Sequence, residues 1–249
     1  GECLAWKAMA YFYLVRIFGD VPIVHDNSSE IAAGDYNSKY KIKAADVYDY
    51  IVMTLEKAIE LLPESNEAGR IDRWGAKGLL AKVYLAKSGI NAGGNGKRDE
   101  SDLAKAAEYA KDVIDNSGKE LLYNYEDLFK GENNNCDESL IGWRWSAEQL
   151  NYTCGNCLTS ELAPQGFNEY QSWGDWTAPS TDLEDAFGVS PLDNPSSRAQ
   201  SDTRRKATMM MAGDTYDYWY SDKGGFDYLK FLYDKDYAPG TNDGLQSAT

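Results

Sequence analysis

The stretch Glu2-Cys-Leu-Ala-Trp-Lys-Ala-Met-Ala-Tyr-Phe-Tyr-Leu-Val-Arg-Ile-Phe18-Gly-Asp-Val-Pro22 decides the fold class. Apolar side chains return every three or four positions, at Leu4, Ala8, Tyr11, Val15 and Phe18, which is the period of a helix with one buried face. Gly19 suits a left-handed cap and Pro22 prevents the helix from continuing. Going outward, a loop is expected around Asn27-Ser28-Ser29 and Gly34-Asp35. The helical period then returns three times. A second helix is expected over about 45–62, with Tyr48, Val52, Leu55, Ile59 and Leu62 on one face and Pro63 as its stop. A third covers about 73–88, burying Ala76, Leu79, Leu80, Val83 and Ala86. The fourth covers about 102–116, with Leu103, Ala107, Ala110 and Ile114 on one side, Ser101 or Asp102 as cap and Gly118 past the end.

Small residues crowd the third and fourth helices, at Gly75, Ala76, Gly78 and Ala81, then at Ala104, Ala106, Ala107 and Ala110. They let helix backbones approach closely. The order Trp74, Leu80-Ala81, Tyr84, Ala106 and Ala110 loosely follows the tetratricopeptide pattern, with a lengthened turn between the helices. That turn, Gly89 to Arg98, is not a phosphate loop: Asn91 stands where Gly is needed, and Arg98 follows Lys97 where Ser or Thr would bind Mg²⁺. It reads as a flexible connection.

The second half changes character. From Ser117 onward no helical period runs far; Asp182 to Phe187 makes one short helix and Asp202 to Met211 another, among turns rich in Gly, Pro, Asn and Ser. Five of the seven tryptophans lie here. The expected organisation is a helical part, residues 1–116, and a loop-rich part, residues 117–249. The expected fold class is mainly α, with tetratricopeptide-like antiparallel helix pairs beside an aromatic-rich region that holds little sheet. Long loops in a compact domain are usually functional.

Composition narrows the chemistry. A formal charge of −15 with no stripe of Lys and Arg argues against nucleic acid. Lys97-Arg98 and Arg204-Arg205-Lys206 are short basic runs set among acids. No run of about 18 apolar residues occurs, so no membrane-spanning helix is expected. Cys154-Gly-Asn-Cys157 has C-x-x-C spacing, which leaves an incidental or loop-clipping role, a zinc half-site and redox chemistry open. His25 is the single histidine and reads as structural; no Gly-x-Ser-x-Gly elbow accompanies it. Asp234-Lys-Asp236 has the acid content of a calcium turn but leaves the EF-hand spacing incomplete, so no cofactor is expected. The 40 acids always contain some pair suited to glycoside hydrolysis, which needs two carboxylates at a set separation. The chain opens inside a helical pattern, and no signal peptide or lipobox precedes Gly1. A segment ahead of it is therefore expected to be missing.

Aromatic side chains in polar loops are the main functional clue. A sugar ring packs its C–H face on an indole or phenol while polar neighbours bond its hydroxyls. Trp143-Arg-Trp145 alternates like a strand, aiming both indoles to one side. Tyr170, Trp173, Asp175 and Trp176 combine rings with a polar partner, and Tyr216-Asp-Tyr218-Trp219-Tyr220 is the densest group. The alternative is that these rings fill a core poor in aliphatics.

Four ordered stretches resemble the SusD/RagB family. Ala8 to Ile23, with its Phe18-Gly-Asp-Val-Pro22 ending, is similar to a family helix. Val47-Tyr-Asp-Tyr-Ile51 with Leu61-Leu-Pro63 resembles the next, and Gly69-Arg70 leading into Gly75 to Leu85 the third. Trp173 to Phe187, then Asp202-Thr-Arg204-Arg205, resembles the approach to the family's Asp-x-Arg region. The resemblance implies a helical, tetratricopeptide-like fold. It also implies non-catalytic capture of oligosaccharide or polysaccharide at the cell surface by an outer-membrane lipoprotein, anchored through a lipid this chain lacks, that serves a SusC-like TonB-dependent transporter. Both the anchored N-terminal segment and the later helical part of the family are expected to be absent. A secreted glycoside hydrolase and a helical scaffold binding protein or peptide are the alternatives.

Overall fold

The computed structural model describes residues 1–34, 39–90, 92, 96–134, 136–143, 179–198 and 202–217, and the backbone of 227–228. The chain divides into two compact units, residues 1–120 with 140–142, and residues 121–139 with 143–249.

The first unit is helical. Helices α1 (Glu2–Phe18), α2 (Asn27–Ala32), α3 (Ala44–Leu61), α4 (Arg73–Lys87) and α5 (Glu100–Asn116) follow in order. α1 packs on α3, α3 on α4 and α4 on α5, the succession of a helical repeat. Ala8, Phe12, Ile51, Leu55, Leu80 and Val83 are among the residues that close the core between them. Gly19 caps α1 at φ 69°, its N–H reaching Val15 O at 3.0 Å. The chain leaving α1 is pinned by an antiparallel bridge between Val21 and Ile42. Glu2, in the first turn of α1, accepts from the Ile71 backbone at 2.9 Å and pairs with Arg70, which ties the start of α1 to the approach to α4.

Four expectations need correction here. Asn27-Ser28-Ser29 is helical rather than loop, because the Asp26 carboxylate accepts from the N–H groups of Ser28 and Ser29 and so starts α2. α5 is capped by Asp99, which accepts from Asp102 N at 3.0 Å, and not by Ser101 or Asp102. The buried edge of α5 is Asp102, Ala106 and Val113; Ala107 is exposed and Ile114 is 75% exposed. An Ala-rich helix offers two apolar stripes one residue apart. Polar partners choose between them: Asp102 and Asp112 pair with Lys87 and Lys77 of α4, and Tyr109 stacks on Tyr84 at 5.9 Å. Lastly, Phe18 is exposed. It lies with Tyr13, Leu14 and Ile17 on the face of α1 turned from the core, so this helix is apolar on both sides.

Gly75 and Gly78 face not a helix but the segment 140–142. A Cβ on Gly75 would stand 2.6 Å from Leu140 O, and one on Gly78 would stand 2.7 Å from Leu140 Cδ1. Among the described residues no helix is long and apolar enough to cross a membrane.

The second unit is built from short pieces. Two 3₁₀ turns, Tyr125–Phe129 and Gly131–Asn133, precede α6 (Thr181–Phe187), α7 (Pro195–Arg198) and α8 (Thr203–Thr208). Strand β1 (Met209–Met210) pairs antiparallel with β2 (Asp227–Tyr228), Met209 opposite Tyr228. The helix expected over 202–211 therefore stops at Thr208, where the chain turns extended to enter this pairing. Met209 and Met211 pack with Val189, Leu183 and Phe187.

Candidate functional site

Of the candidate ligand-contacting residues, Trp143 is described, and it is 60% exposed. Trp145, Tyr170, Trp173, Asp175, Trp176, Tyr218, Trp219 and Tyr220 lie outside the described residues, as do Cys154, Cys157 and the Asp234–Asp236 turn. Cys3 and Cys136 carry free thiols. His25 packs edge-on against Tyr50, with ring centroids 5.7 Å apart, within the helical unit. Among the described residues no group of three or more His, Cys, Asp and Glu is placed to hold a metal ion.

The second unit contains a cleft of about 750 Å³, within the size range of small-ligand sites. One wall comes from residues 123–130 and the other from α7 and α8. Each wall is positioned by local chemistry. On the first, Asp127 accepts from Lys130 Nζ at 2.6 Å and from Asn124 at 3.1 Å, which closes the 3₁₀ turn and holds the Asp127 carboxyl below its ordinary range. Tyr125 meets Phe129 edge-on at 5.1 Å, and Tyr123 is fully exposed. On the second wall, Asp202 caps α8 by accepting from Arg204 N at 2.9 Å. Its carboxylate also takes the Arg204 guanidinium in a two-pronged pair, and that pair brings the Asp202 pKa down to about 2.

Behind the second wall lies a buried charge network. The side chains of Arg198 and Arg205 are each 1% exposed, and both approach the one carboxylate of Asp214. Arg198 also donates to the carbonyls of Pro191 and Asp193 at 3.1 and 2.9 Å. Asp214 accepts from Met211 N at 2.9 Å, so the network fixes the turn after β1. Tyr216 donates its hydroxyl to Lys206 O at 2.9 Å, and burial, then the Asp214 charge, pushes that phenol far above its usual range. The Lys206 ammonium lies 4.8 Å from the Tyr216 ring centroid, a cation–π distance.

Reading the sequence missed this cleft. Its signal was present as the basic run Arg204-Arg205-Lys206 in an acidic chain and as Tyr123-Asn-Tyr125. Neither shows that residues about 75 positions apart share one hollow.

The chain thus has a helical-repeat unit and a loop-built unit that holds an aromatic-edged polar cleft. Comparison with known proteins gives the family. Residues 1–85 match the SusD-like family model described as starch-binding and associating with the outer membrane. A SusD-like protein of Bacteroides ovatus is 38% identical over 91% of this chain and 39% of its own length. A crystal structure solved with xylogluco-oligosaccharide is 37% identical, with a TM-score of 0.73 over 90% of this chain and 43% of that one. A laminarin-binding SusD-like protein, at 23% identity, shares the fold with a TM-score of 0.67 over 93% of this chain and 50% of its own. The chain is SusD-like in sequence and in its mainly helical, tetratricopeptide-like fold. It spans about two-fifths of the length of the Bacteroides ovatus relative and of the structure solved with xylogluco-oligosaccharide.

Proposed function

We propose that the chain is part of a non-catalytic glycan-capturing protein of the outer-membrane surface. It binds oligosaccharide or polysaccharide and delivers it to a SusC-like TonB-dependent transporter, and in its full-length form a lipid anchor holds it to the membrane. The supporting observation is the relative solved with xylogluco-oligosaccharide, which is similar over nine-tenths of this chain. In this reading residues 1–116 form the scaffold. Residues 117–249 face the ligand, with Trp143, Trp145, Tyr170, Trp173, Asp175, Trp176, Tyr218, Trp219 and Tyr220 supplying stacking faces and polar partners. No metal or cofactor takes part.

Isothermal titration of the purified protein with xylogluco-oligosaccharide tests this. Saturable binding, unchanged by EDTA and weakened more than tenfold (about 1.4 kcal/mol) by Trp173→Ala or Trp219→Ala, supports it. Unchanged binding across all the aromatic variants removes the site assignment. Reducing ends released over time, and lost on carboxylate substitution, would replace binding by glycoside hydrolysis. Co-purification with a TonB-dependent transporter tests the delivery step.

A further inference from the structure

We propose that the cleft of the second unit seats one pyranose ring of a neutral glycan. The ring lies on Tyr123 and Tyr125, and its hydroxyls bridge Asp127 on one wall and Arg204 on the other. This rests on the glycan-binding reading above and adds a site that reading leaves open.

The charged groups of the cleft are matched before any ligand arrives. Lys130 pairs with Asp127, Arg204 with Asp202, and Arg205 with Asp214 behind the wall. A charged ligand has to compete with those pairs. A hydroxyl does not, because it both donates and accepts and can add to groups with bonding capacity left. Asp127 has such capacity: each of its oxygens takes one bond, from Lys130 or from Asn124, and a carboxylate accepts about four. Arg204 has it too, since it gives Nε and Nη2 to Asp202 and keeps, among the described residues, the N–H groups of Nη1. Acceptors therefore stand on the first wall and donors on the second. Their pairs hold both in place, and the 3₁₀ turn Tyr125–Phe129 packs against α8, so little ordering opposes binding.

The tyrosines supply the apolar half of the site. Tyr123 and Tyr125 line the cleft; Tyr123 is fully exposed, and Tyr125 is braced edge-on by Phe129. Core filling, the alternative reading for a loop aromatic, does not apply to a ring that lies wholly in solvent. A pyranose has C–H faces and a rim of hydroxyls. With one face on a phenol, the rim is left to meet polar groups on both sides, which is the arrangement of these two walls.

The experiment is isothermal titration of the whole chain and of its cleft variants with xylogluco-oligosaccharide. Arg204→Gln should weaken binding about tenfold, as expected for losing a hydrogen bond to a charged group. Tyr123→Ala should weaken it about fivefold, and Tyr123→Trp, which restores a flat ring, should recover it. Tyr40→Ala removes a tyrosine of the first unit that is 81% exposed and should bind as the unaltered chain does. Circular dichroism and melting check that each variant folds. A xylo-oligosaccharide bearing one glucuronic acid should bind no tighter than its carboxyl-reduced form, and a preference for the acid overturns the neutral class. Unaltered affinity in both Tyr123→Ala and Arg204→Gln overturns the site and leaves the glycan-binding reading standing. If the unaltered chain binds neither xylogluco-oligosaccharide nor the reduced form, both fall.

Discussion

At the residue scale, Asp214 joins two buried arginines to the turn after β1. Its carboxylate approaches the guanidiniums of both Arg198 and Arg205, and all three side chains are nearly fully buried. Asp214→Asn leaves the buried Arg205 guanidinium facing a neutral amide. The expected loss is about 3–5 kcal/mol, the range for breaking a buried ion pair by removing one partner, seen as a lower urea midpoint of the transition that reports the second unit. Surface carboxylates act differently. Arg70 holds Glu2, Ser29 holds Asp26 and Lys130 holds Asp127 below their ordinary values, and Arg204 brings Asp202 to about 2. A carboxyl whose folded pKa is depressed stabilises fully above its unfolded value, and the contribution is lost as pH falls through the folded one. Urea midpoints should therefore stay level from pH 7 to 5 and fall below about pH 4. Asp202→Asn should remove the part lost between about 4 and 2, by a small amount that salt screens further. Titrations at pH 7, 4 and 2.5 check this.

At the element scale, α4 shows propensity and packing pulling in opposite directions. Replacing Gly75, in the first turn of α4, with Ala favours the helix by at most about 1 kcal/mol. The new Cβ, however, would sit 2.6 Å from the backbone oxygen of Leu140, which cannot rotate away. Overpacking costs about 1–3 kcal/mol, so Gly75→Ala should destabilise on balance. Gly78→Ala meets the tip of the Leu140 side chain, which can turn aside, and should be near neutral or stabilising. Thermal melts of the two variants should shift in different directions. α1 gives a second contrast: Phe12→Ala, at a 4% exposed core position, should cost about 3–5 kcal/mol. Phe18→Ala, 66% exposed, should stay within about 0.5 kcal/mol. These helices were legible because period, Gly19 and Pro63 all act locally, whereas the caps Asp26 and Asp99 were missed. The buried stripe of α5 was not, since the partners that select it, Lys77, Lys87 and Tyr84, sit on another helix. The end of α8 was not either, because Met209 turns extended to pair with Tyr228, a contact 19 residues away.

At the scale of the whole molecule, the family was legible from four ordered stretches because helix endings and small-residue positions are dictated by the scaffold itself. The side proposed to face the ligand has no such local signature. An aromatic in a loop is the same letter whether it fills a core or meets a sugar, and the cleft joins residues 123–130 to residues 198–206, which no local pattern links. The function proposed for the molecule makes a prediction about stability. A ligand that binds the folded form alone stabilises it by RT ln(1 + [L]/Kd), about 2.7 kcal/mol at one hundred times Kd. For a protein of this size, 1 kcal/mol moves the melting temperature by about 2–4 °C, so saturating xylogluco-oligosaccharide should raise it by roughly 5–10 °C. The rise should grow with the logarithm of ligand concentration, survive EDTA and be indifferent to salt, because stacking on aromatic rings and bonds to hydroxyls involve no net charge. Differential scanning calorimetry over a hundredfold range of ligand checks this, and a melting temperature that never moves with a neutral glycan would count against capture of that class by this chain.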